Sequence, residues 1–286
     1  YGLFMLGGFI AAYIAVIGRA RIIGIPERRI LDLLLIAVVG GMIGSRARYV
    51  WERPELFTHK GGQPVPWRDV VANAMDFDQG GMVWYGGAIL VTLVIVAYAW
   101  WNRVRILPLG DIVLPGLLLG LAVGRIGCHF NGCCFGHPTS LPWGVSCWKY
   151  PGEHVHPTQL YETIACVLMF AALWWFWRRR RSDGQVCFAV GVGYGAWRFI
   201  NEGLRGDDKI PSNLLGLPSA EGMISTSQAT SLHIIVVTIV VAALVIAHRR
   251  RRPEADAVAH LVPGSRHARK PAENPGIATT EPIQQG

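Results

Sequence analysis

Seven apolar stretches, each close to 20 residues long, run through most of this chain. They cover residues 1–18, 30–50, 82–101, 111–130, 158–177, 186–204 and 229–247. About 20 apolar residues in a helix span the roughly 30 Å of hydrocarbon in a bilayer. Only 16% of the residues are charged, against about 25% in soluble domains. The sequence therefore predicts an all-α integral membrane protein with seven transmembrane helices.

The arginine residues set the predicted orientation. They form short runs at 19–29, 103–105, 178–181 and 249–252, which follow the first, third, fifth and seventh apolar stretches. Because basic loops stay on the cytoplasmic side of a membrane, these runs predict an outside N-terminus and a cytoplasmic C-terminus. Although the net charge is +8, arginines confined to such loops argue against nucleic acid as a partner.

This topology divides the chain into two regions. Residues 1–250 are expected to form the membrane domain, with loops 51–81, 131–157 and 205–228 on the outer face. Residues 251–286 combine proline, alanine and polar residues without apolar periodicity, which predicts a disordered cytoplasmic tail. The chain starts inside an apolar stretch, with no charged leader or cleavage site before it, so no removable signal peptide is expected.

Some arginines lie outside the basic runs, near the predicted outer ends of apolar stretches. Among them are the four residues Arg46, Arg125, Arg198 and Arg205. An arginine at that depth needs an anionic partner, and two sources are open. One is internal pairing with Glu162 or Glu202, the second of which lies four residues after Arg198 on one helix. The other is an anionic lipid headgroup, because four arginines against two acids leave positive charge for a ligand.

A cysteine-rich segment at 124–136 follows the fourth apolar stretch. Cys128, His129, Cys133 and Cys134 lie within seven residues of one another, on the side where disulfides are permitted. A disulfide, a metal site, a working thiol and plain reduced packing all remain open. The segment lacks the paired C-x-x-C spacing of a firm zinc motif, so neither a metal nor another cofactor is expected.

Segment 124–136 also resembles the signature of the prolipoprotein diacylglyceryl transferase family. Further motifs that resemble this family follow in order along residues 1 to about 247. They are 1–3, 44–46 with Tyr49, 80–87, 156–162, 194–200 with Glu202 and Arg205, and 225–228 with Ser231. The family's seven spans, outside N-terminus and cytoplasmic C-terminus agree with the topology predicted from charge.

The resemblance implies transfer of a diacylglyceryl group from phosphatidylglycerol to the lipobox cysteine thiol of a preprolipoprotein, with glycerol phosphate leaving. It also implies location in a bacterial inner membrane. The implied catalytic residues are Arg125, Arg198, Tyr85 and Glu202. The implied headgroup-binding residues are Arg46, Arg125, Arg198, Arg205, Asn131 and Gly136, supported by Tyr1, Tyr161, Glu162 and Gln228.

The chain departs from the family pattern at three polar positions. Tyr85 stands where the family usually has a histidine, and a phenol is a poor proton acceptor at neutral pH. Cys128 and Cys133 stand where the family usually has asparagine and glutamate. An alternative function is therefore a thiol or redox protein, or a non-catalytic lipid-binding paralogue on the same scaffold, using Cys128, Cys133 and Cys134.

Overall fold

A computed structural model describes residues 1–60, 63–76, 81–206 and 225–251 of the chain, and about three quarters of it (75%) is helical. The seven long helices among the described residues are α1 (Gly2–Ile22), α2 (Glu27–Glu52), α5 (Trp84–Trp101), α6 (Ile106–Phe130), α7 (Thr158–Trp177), α8 (Gln185–Leu204) and α9 (Thr226–Arg251). The predicted tail beyond Arg251 and most of the predicted loop 205–228 lie outside the described residues.

Short elements occupy two of the connections. They are α3 (Glu55–Thr58), β1 (His59–Lys60), β2 (Gln63–Pro64) and α4 (Trp67–Met75) between α2 and α5, and β3 (Val145–Cys147) and β4 (Tyr150–Val155) between α6 and α7. Each strand pair is an antiparallel hairpin. The predicted loops 51–81 and 131–157 are therefore partly ordered elements rather than plain loops.

Six of the long helices are long and apolar enough to cross a membrane: α1, α2, α5, α6, α7 and α9. The chain is thus a multi-pass membrane protein built mainly from helices. Helix α8 is not among the six, because it carries Arg198, Asn201 and Glu202 within its last two turns. Its exposed Val192 and Ile200 form an apolar outer stripe, while the polar side chains face neighbouring helices.

The basic residues extend the helices beyond the apolar stretches. Helix α1 continues to Ile22 through Arg19 and Arg21, and α2 begins at Glu27, ahead of the predicted 30. Arg21 is exposed and can hold its charge in water while its stem covers apolar surface, whereas Arg19 is buried. The end of the bundle that holds these arginines, together with Arg105 and Arg249, is called the basic end below, and the opposite end the motif end.

Close helix contacts depend on glycine. In α1 and α6, a methyl group on Gly8 would lie 2.6 Å from the carbonyl oxygen of Gly120, and one on Gly120 would lie 2.8 Å from that of Gly8. Helices α2 and α5 meet in the same way, since a methyl group on Gly87 would lie 2.7 Å from the carbonyl oxygen of Gly41. Small residues at such crossings let helix backbones approach closely. Gly86 and Gly87 of α5 therefore serve packing against α2.

The basic end is closed by aromatic and ionic contacts. The guanidinium of Arg19 lies 3.6 Å from the ring centroid of Trp174 and 4.5 Å from that of Trp177. The buried Asp111 carboxylate accepts backbone N–H groups from Gly184 and Cys187 at 2.7 and 2.8 Å. These contacts join α1, α6, α7 and α8 at the basic end, and the motif end holds the polar cluster described next.

Candidate functional site

The centre of the motif end is the carboxylate of Glu162, in the second turn of α7. Its side chain is only 1% exposed. Its Oε2 atom lies 3.1 Å from Nη2 of Arg125 on α6 and 3.1 Å from Nη1 of Arg198 on α8. One buried carboxylate therefore holds two guanidinium groups from two different helices.

Two neutral donors complete the surroundings of this carboxylate. The hydroxyl of Tyr194 donates to Oε1 at 2.8 Å, and Nδ2 of Asn201 donates to Oε2 at 3.1 Å. A buried charge is tolerated when every lone pair finds a donor. These donors therefore hold the Glu162 side chain in one position and satisfy the hydrogen-bonding capacity of its carboxylate.

A second buried carboxylate, Glu202, extends the cluster along α8. Its Oε2 atom lies 2.8 Å from Nη2 of Arg198 and 3.2 Å from Nη1 of Arg205. Its Oε1 atom accepts from the hydroxyl of Ser225 at 3.4 Å. Arg198 thus bridges both acids, one with each terminal nitrogen.

The cluster holds three arginines and two acids among the described residues. Arg125, Arg198 and Arg205 face the carboxylates of Glu162 and Glu202. The buried Nε of Arg125 has no hydrogen-bond acceptor in the described part of the chain. Internal pairing is therefore real, and it also leaves the Nε donor of Arg125 for an anion.

Tyr85 joins this cluster through α9. Its hydroxyl lies 3.4 Å from the Oγ of Ser227, which in turn accepts from Nη2 of Arg198 at 3.5 Å. The first turn of α5, the first turn of α9 and the end of α8 are linked in this way. The sequence interpretation did not select Ser227, Tyr194 or Asn201 as site residues.

A helical pattern could have found two of them. Tyr194, Arg198, Asn201, Glu202 and Arg205 follow the spacing of one helix face, so the polar side of α8 was visible in the sequence. The link from Tyr85 through Ser227 had no such signal, because it joins α5 to α9 across 142 positions.

Gly136 brings three chain segments together. Its N–H donates to the carbonyl of His156 at 2.9 Å, and it pairs with Arg205 in an antiparallel bridge. A methyl group at this position would lie 2.8 Å from the carbonyl oxygens of both His156 and Leu204. Gly136 therefore positions the backbone beside Arg205. Asn131 ends α6 and is exposed, and its N–H donates to the carbonyl of Gly127 at 3.0 Å.

Arg46 has different partners from the other three arginines. Its side chain donates to the carbonyl oxygens of Asn73, Ala74, Asp76 and Gly81 at 2.6 to 3.2 Å. Those carbonyls lie at and beyond the end of α4, where a helix leaves acceptors unused. The contacts described for Arg46 hold α4 against α2, and none of them reaches the Glu162 cluster.

Three supporting residues of the sequence interpretation have separate environments. Gln228 forms a reciprocal helix cap with Ser225, in which each backbone N–H donates to the other's side chain, at 3.0 and 3.2 Å. The hydroxyl of Tyr161 accepts from Trp143 Nε1 at 2.7 Å. Tyr1 lies within electrostatic reach of Arg125 and of the nearby cysteines.

A family model described as prolipoprotein diacylglyceryl transferase matches residues 1–244, which is most of the chain. The chain belongs to this family. The family suggested by the sequence motifs is therefore confirmed. The arginines and acids of the polar cluster at the motif end lie within these motifs.

Individual members of the family agree with this assignment. The chain is 34% identical over 232 residues to a protein of Bordetella parapertussis, 31% identical over 250 residues to one of Clostridium tetani and 34% identical over 261 residues to one of Bordetella avium. These alignments cover 77%, 84% and 88% of this chain and 81%, 90% and 92% of the relatives. All three relatives are named phosphatidylglycerol–prolipoprotein diacylglyceryl transferase.

The six cysteines of the chain all lie among the described residues. The structure contains no disulfide among the six cysteines, and the disulfide alternative stays a prediction. The sulfur atoms of Cys128, Cys133 and Cys134 lie within 4.8 Å of one another. His129 is not part of this group, and its ring packs edge-on against Phe130 with the ring centroids 6.0 Å apart. Residue 129 follows Cys128 on the helix, so its side chain leaves in another direction.

Proposed function

We propose that this protein transfers a diacylglyceryl group from phosphatidylglycerol to the lipobox cysteine thiol of preprolipoproteins. The observation that carries the proposal is the pair Arg125 and Arg198, from two helices, on the one buried carboxylate of Glu162. Family membership and the names of the relatives support the same activity. The protein is expected to act in a bacterial inner membrane, without a cofactor.

The guanidinium groups suit the charge changes of this reaction. The acceptor sulfur forms a bond to the terminal glyceryl carbon of the lipid, and the bond from that carbon to the phosphate oxygen breaks. The thiol proton is released to water and glycerol phosphate leaves with the electron pair, so negative charge grows on the phosphate. Fixed donors stabilise such charge without having to reorganise. Arg125 and Arg198 are assigned to this role, while Glu162 and Glu202 keep them in place.

Arg205 and Gly136 are assigned to the headgroup side of the site, where their segments meet. Asn131 lies at the exposed end of α6 and would contact the headgroup or the acceptor from there. Arg46 already binds carbonyl oxygens at and beyond the end of α4. A headgroup would have to displace these carbonyls in order to bind Arg46. The acceptor peptide and the lipid are the two expected partners.

Tyr85 is assigned to the reacting side of the cluster. The acceptor thiol becomes a strong nucleophile only when it loses its proton. A neutral phenol is a weak acceptor for that proton, so we expect Tyr85 to orient the reacting groups through Ser227. Replacement by phenylalanine removes the hydroxyl and should lower kcat more than it raises KM.

The orientation of the protein belongs to the same proposal. The motif end is placed at the outer leaflet, with the N-terminus outside, the C-terminus in the cytoplasm and α8 as a seventh span. Support comes from the arginines of the basic end, which favour the cytoplasmic side. The buried polar side and apolar outer stripe of α8 suit a helix enclosed by others within a membrane.

The decisive experiment combines purified protein, phosphatidylglycerol micelles and a synthetic lipobox peptide. Release of glycerol phosphate and the mass gain of the peptide are measured together. Arg125→Ala and Arg198→Ala should abolish both signals, and a peptide with serine in place of its cysteine should give neither. Arg48→Ala is the matched control, since Arg48 forms an exposed ion pair with Glu52 at the same end and no other ion pair among the described residues. Absence of glycerol phosphate at every peptide concentration would overturn the proposal.

A thiol reaction is the second candidate function, and the three clustered sulfur atoms favour it. The double variant Cys128→Ser with Cys133→Ser separates the two candidates. If this variant keeps full transferase activity, the thiols take no part in the transfer reaction. If it loses thiol-disulfide exchange activity that the parent protein displays, the second candidate is supported.

A further inference from the structure

Three thiols converge at the end of α6 although the transfer reaction proposed above uses none of them. Cys128 is buried in the last turn of the helix, and Cys133 and Cys134 are half-buried in the turn that follows. The thiol of Cys133 lies 3.7 Å from the carbonyl oxygen of Cys128, to which it donates. Cys134 has a φ of +61°, a left-handed conformation that non-glycine residues seldom adopt. The backbone thus turns sharply where the sulfur atoms come together.

Neighbouring residues hold this turn in place. The hydroxyl of Thr158 donates to the carbonyl oxygen of Cys134 at 2.6 Å, and Nε2 of Gln159 donates to that of Cys133 at 2.6 Å. Both donors are buried and belong to the first turn of α7. A thiol cluster on a backbone fixed in this way is pre-organised, which lowers the entropy cost of binding an ion.

The separation of the sulfur atoms suits one shared cation. Three thiolates at about 2.3 Å from a common ion would lie about 4 Å from one another. The observed sulfur atoms are all within 4.8 Å, so side-chain rotations would close the remaining distance. Ligand sets made only of sulfur select thiophilic cations such as zinc or copper(I) over magnesium or calcium.

A positive charge lies within electrostatic reach of the thiols. It belongs to Arg125, which precedes Cys128 by nearly one turn and interacts with Cys128 and Cys134. A bound thiophilic cation would displace the thiol protons, because a metal binds the deprotonated sulfur.

We propose that Cys128, Cys133 and Cys134 form a three-thiolate site for a thiophilic cation of the zinc and copper(I) class. Three thiolates with one divalent cation carry one negative charge in total. That charge lies within reach of Arg125 and opposes the positive charge that Arg125 offers to an anion. Occupancy should therefore weaken the binding of the lipid phosphate, a consequence that rests on the proposed transferase activity.

Binding is tested first, without reference to activity. The full chain is purified in detergent, reduced, treated with chelator and then titrated with Cd²⁺ alone. Thiolate-to-metal charge-transfer absorption should saturate at one ion per chain, with the intensity of about three thiolates, and Zn²⁺ should compete for the site. Each of Cys128→Ser, Cys133→Ser and Cys134→Ser should weaken binding at least about tenfold, as loss of one ligand interaction predicts.

The matched control is Cys147→Ser, because Cys147 is half-buried at the same end, in β3, outside the triad. It should bind Cd²⁺ like the parent protein. Size-exclusion profiles and helical circular dichroism establish that each variant is folded. The site is refuted if the reduced parent protein shows no charge-transfer band, or if Cys147→Ser weakens binding as much as the triad variants. Thiol counting that finds a disulfide within the triad in protein purified without oxidant also refutes it.

Coupling to the reaction is tested separately. Zn²⁺ at the concentration that fills the site should reduce glycerol phosphate release by the parent protein about tenfold, and should have less than a twofold effect on Cys134→Ser. If binding is found but Zn²⁺ leaves release unchanged, the electrostatic coupling is wrong. If binding is found and no release occurs in any sample, the proposed transferase function fails while the thiolate site stands.

Discussion

A single carboxylate organises the motif end at the scale of residues. Glu162 accepts from four donors on two neighbouring helices: Arg125, Tyr194, Arg198 and Asn201. Removing one partner of a buried ion pair leaves charge without compensation, which costs far more than the pair itself contributes. The acid therefore determines the positions of both guanidinium groups that are assigned to the leaving phosphate.

Glu162→Gln should reduce the free energy of unfolding by about 3–5 kcal/mol and lower kcat/KM at least about a hundredfold. The amide keeps the shape of the side chain but carries no charge for Arg125 and Arg198. Thermal denaturation in detergent and the glycerol phosphate assay measure the two effects. Glu52→Gln makes the same change in an exposed pair with Arg48 and should leave both quantities nearly unchanged. Equal losses in the two variants would contradict the role given to Glu162.

Arg198→Lys tests geometry rather than charge. Arg198 reaches Glu162 with Nη1 and Glu202 with Nη2, at 3.1 and 2.8 Å. A lysine ammonium is a single point charge and cannot hold both acids with this fork. We expect kcat to fall at least about tenfold with a smaller change in KM, measured by steady-state kinetics on phosphatidylglycerol micelles. Full activity with lysine would mean that charge alone is sufficient at this position.

At the scale of elements, helix contacts are set by where small residues face each other. Gly8→Ala should destabilise the protein by about 1–3 kcal/mol, because the added methyl group would meet the carbonyl oxygen of Gly120 at 2.6 Å. Gly18→Ala on the same helix has nothing within 4 Å of the added group, so it should be neutral or slightly stabilising. Melting temperatures of the two variants in one detergent give the comparison, and a Gly8→Ala protein as stable as Gly18→Ala would contradict the packing.

The apolar pattern of the sequence predicts the long helices, but it does not predict the smaller elements. Each of the seven predicted stretches lies largely inside a long helix, because membrane spans need a sustained apolar run. Helix α8 is the least apolar of the predicted helices, since Arg198 and Glu202 face inward and lower its hydropathy.

Arg46 was predicted to be a headgroup arginine from its position in the sequence alone. Its carbonyl partners in and beyond α4 lie 27 to 35 residues away in sequence, and local pattern carries no signal for such contacts.

At the scale of the whole molecule, the orientation of the bundle is open to direct measurement. Ser140→Cys in the loop before β3 and Ser182→Cys between α7 and α8 are placed singly in a variant whose six native cysteines are alanine. A membrane-impermeant maleimide applied to spheroplasts should label the first variant and reach the second only after the membrane is permeabilised. That result follows from arginine runs staying in the cytoplasm. The reverse pattern would invert the proposed topology and place the motif end at the inner leaflet.

The family and the membrane class were accessible from sequence, because ordered motifs and apolar stretches are local properties of the chain. The assembled cluster was only partly accessible. Arg125, Arg198, Glu162 and Glu202 were selected one by one, but the bridging of both acids by Arg198 depends on how α7 and α8 pack. The fate of the cysteines also depended on packing, since thiol spacing alone left four alternatives open.

The order of synthesis gives the Arg125–Glu162 pair a further consequence. Arg125 leaves the ribosome before Glu162, whose carboxylate is the partner that makes its burial tolerable. An isolated α6 would expose an uncompensated charge to lipid during insertion. We therefore expect helices α6 and α7 to enter the bilayer as a hairpin, or α6 to wait beside the translocation machinery until α7 is made. The same charge pair that shapes the finished site thus dictates the sequence of steps by which the protein is assembled.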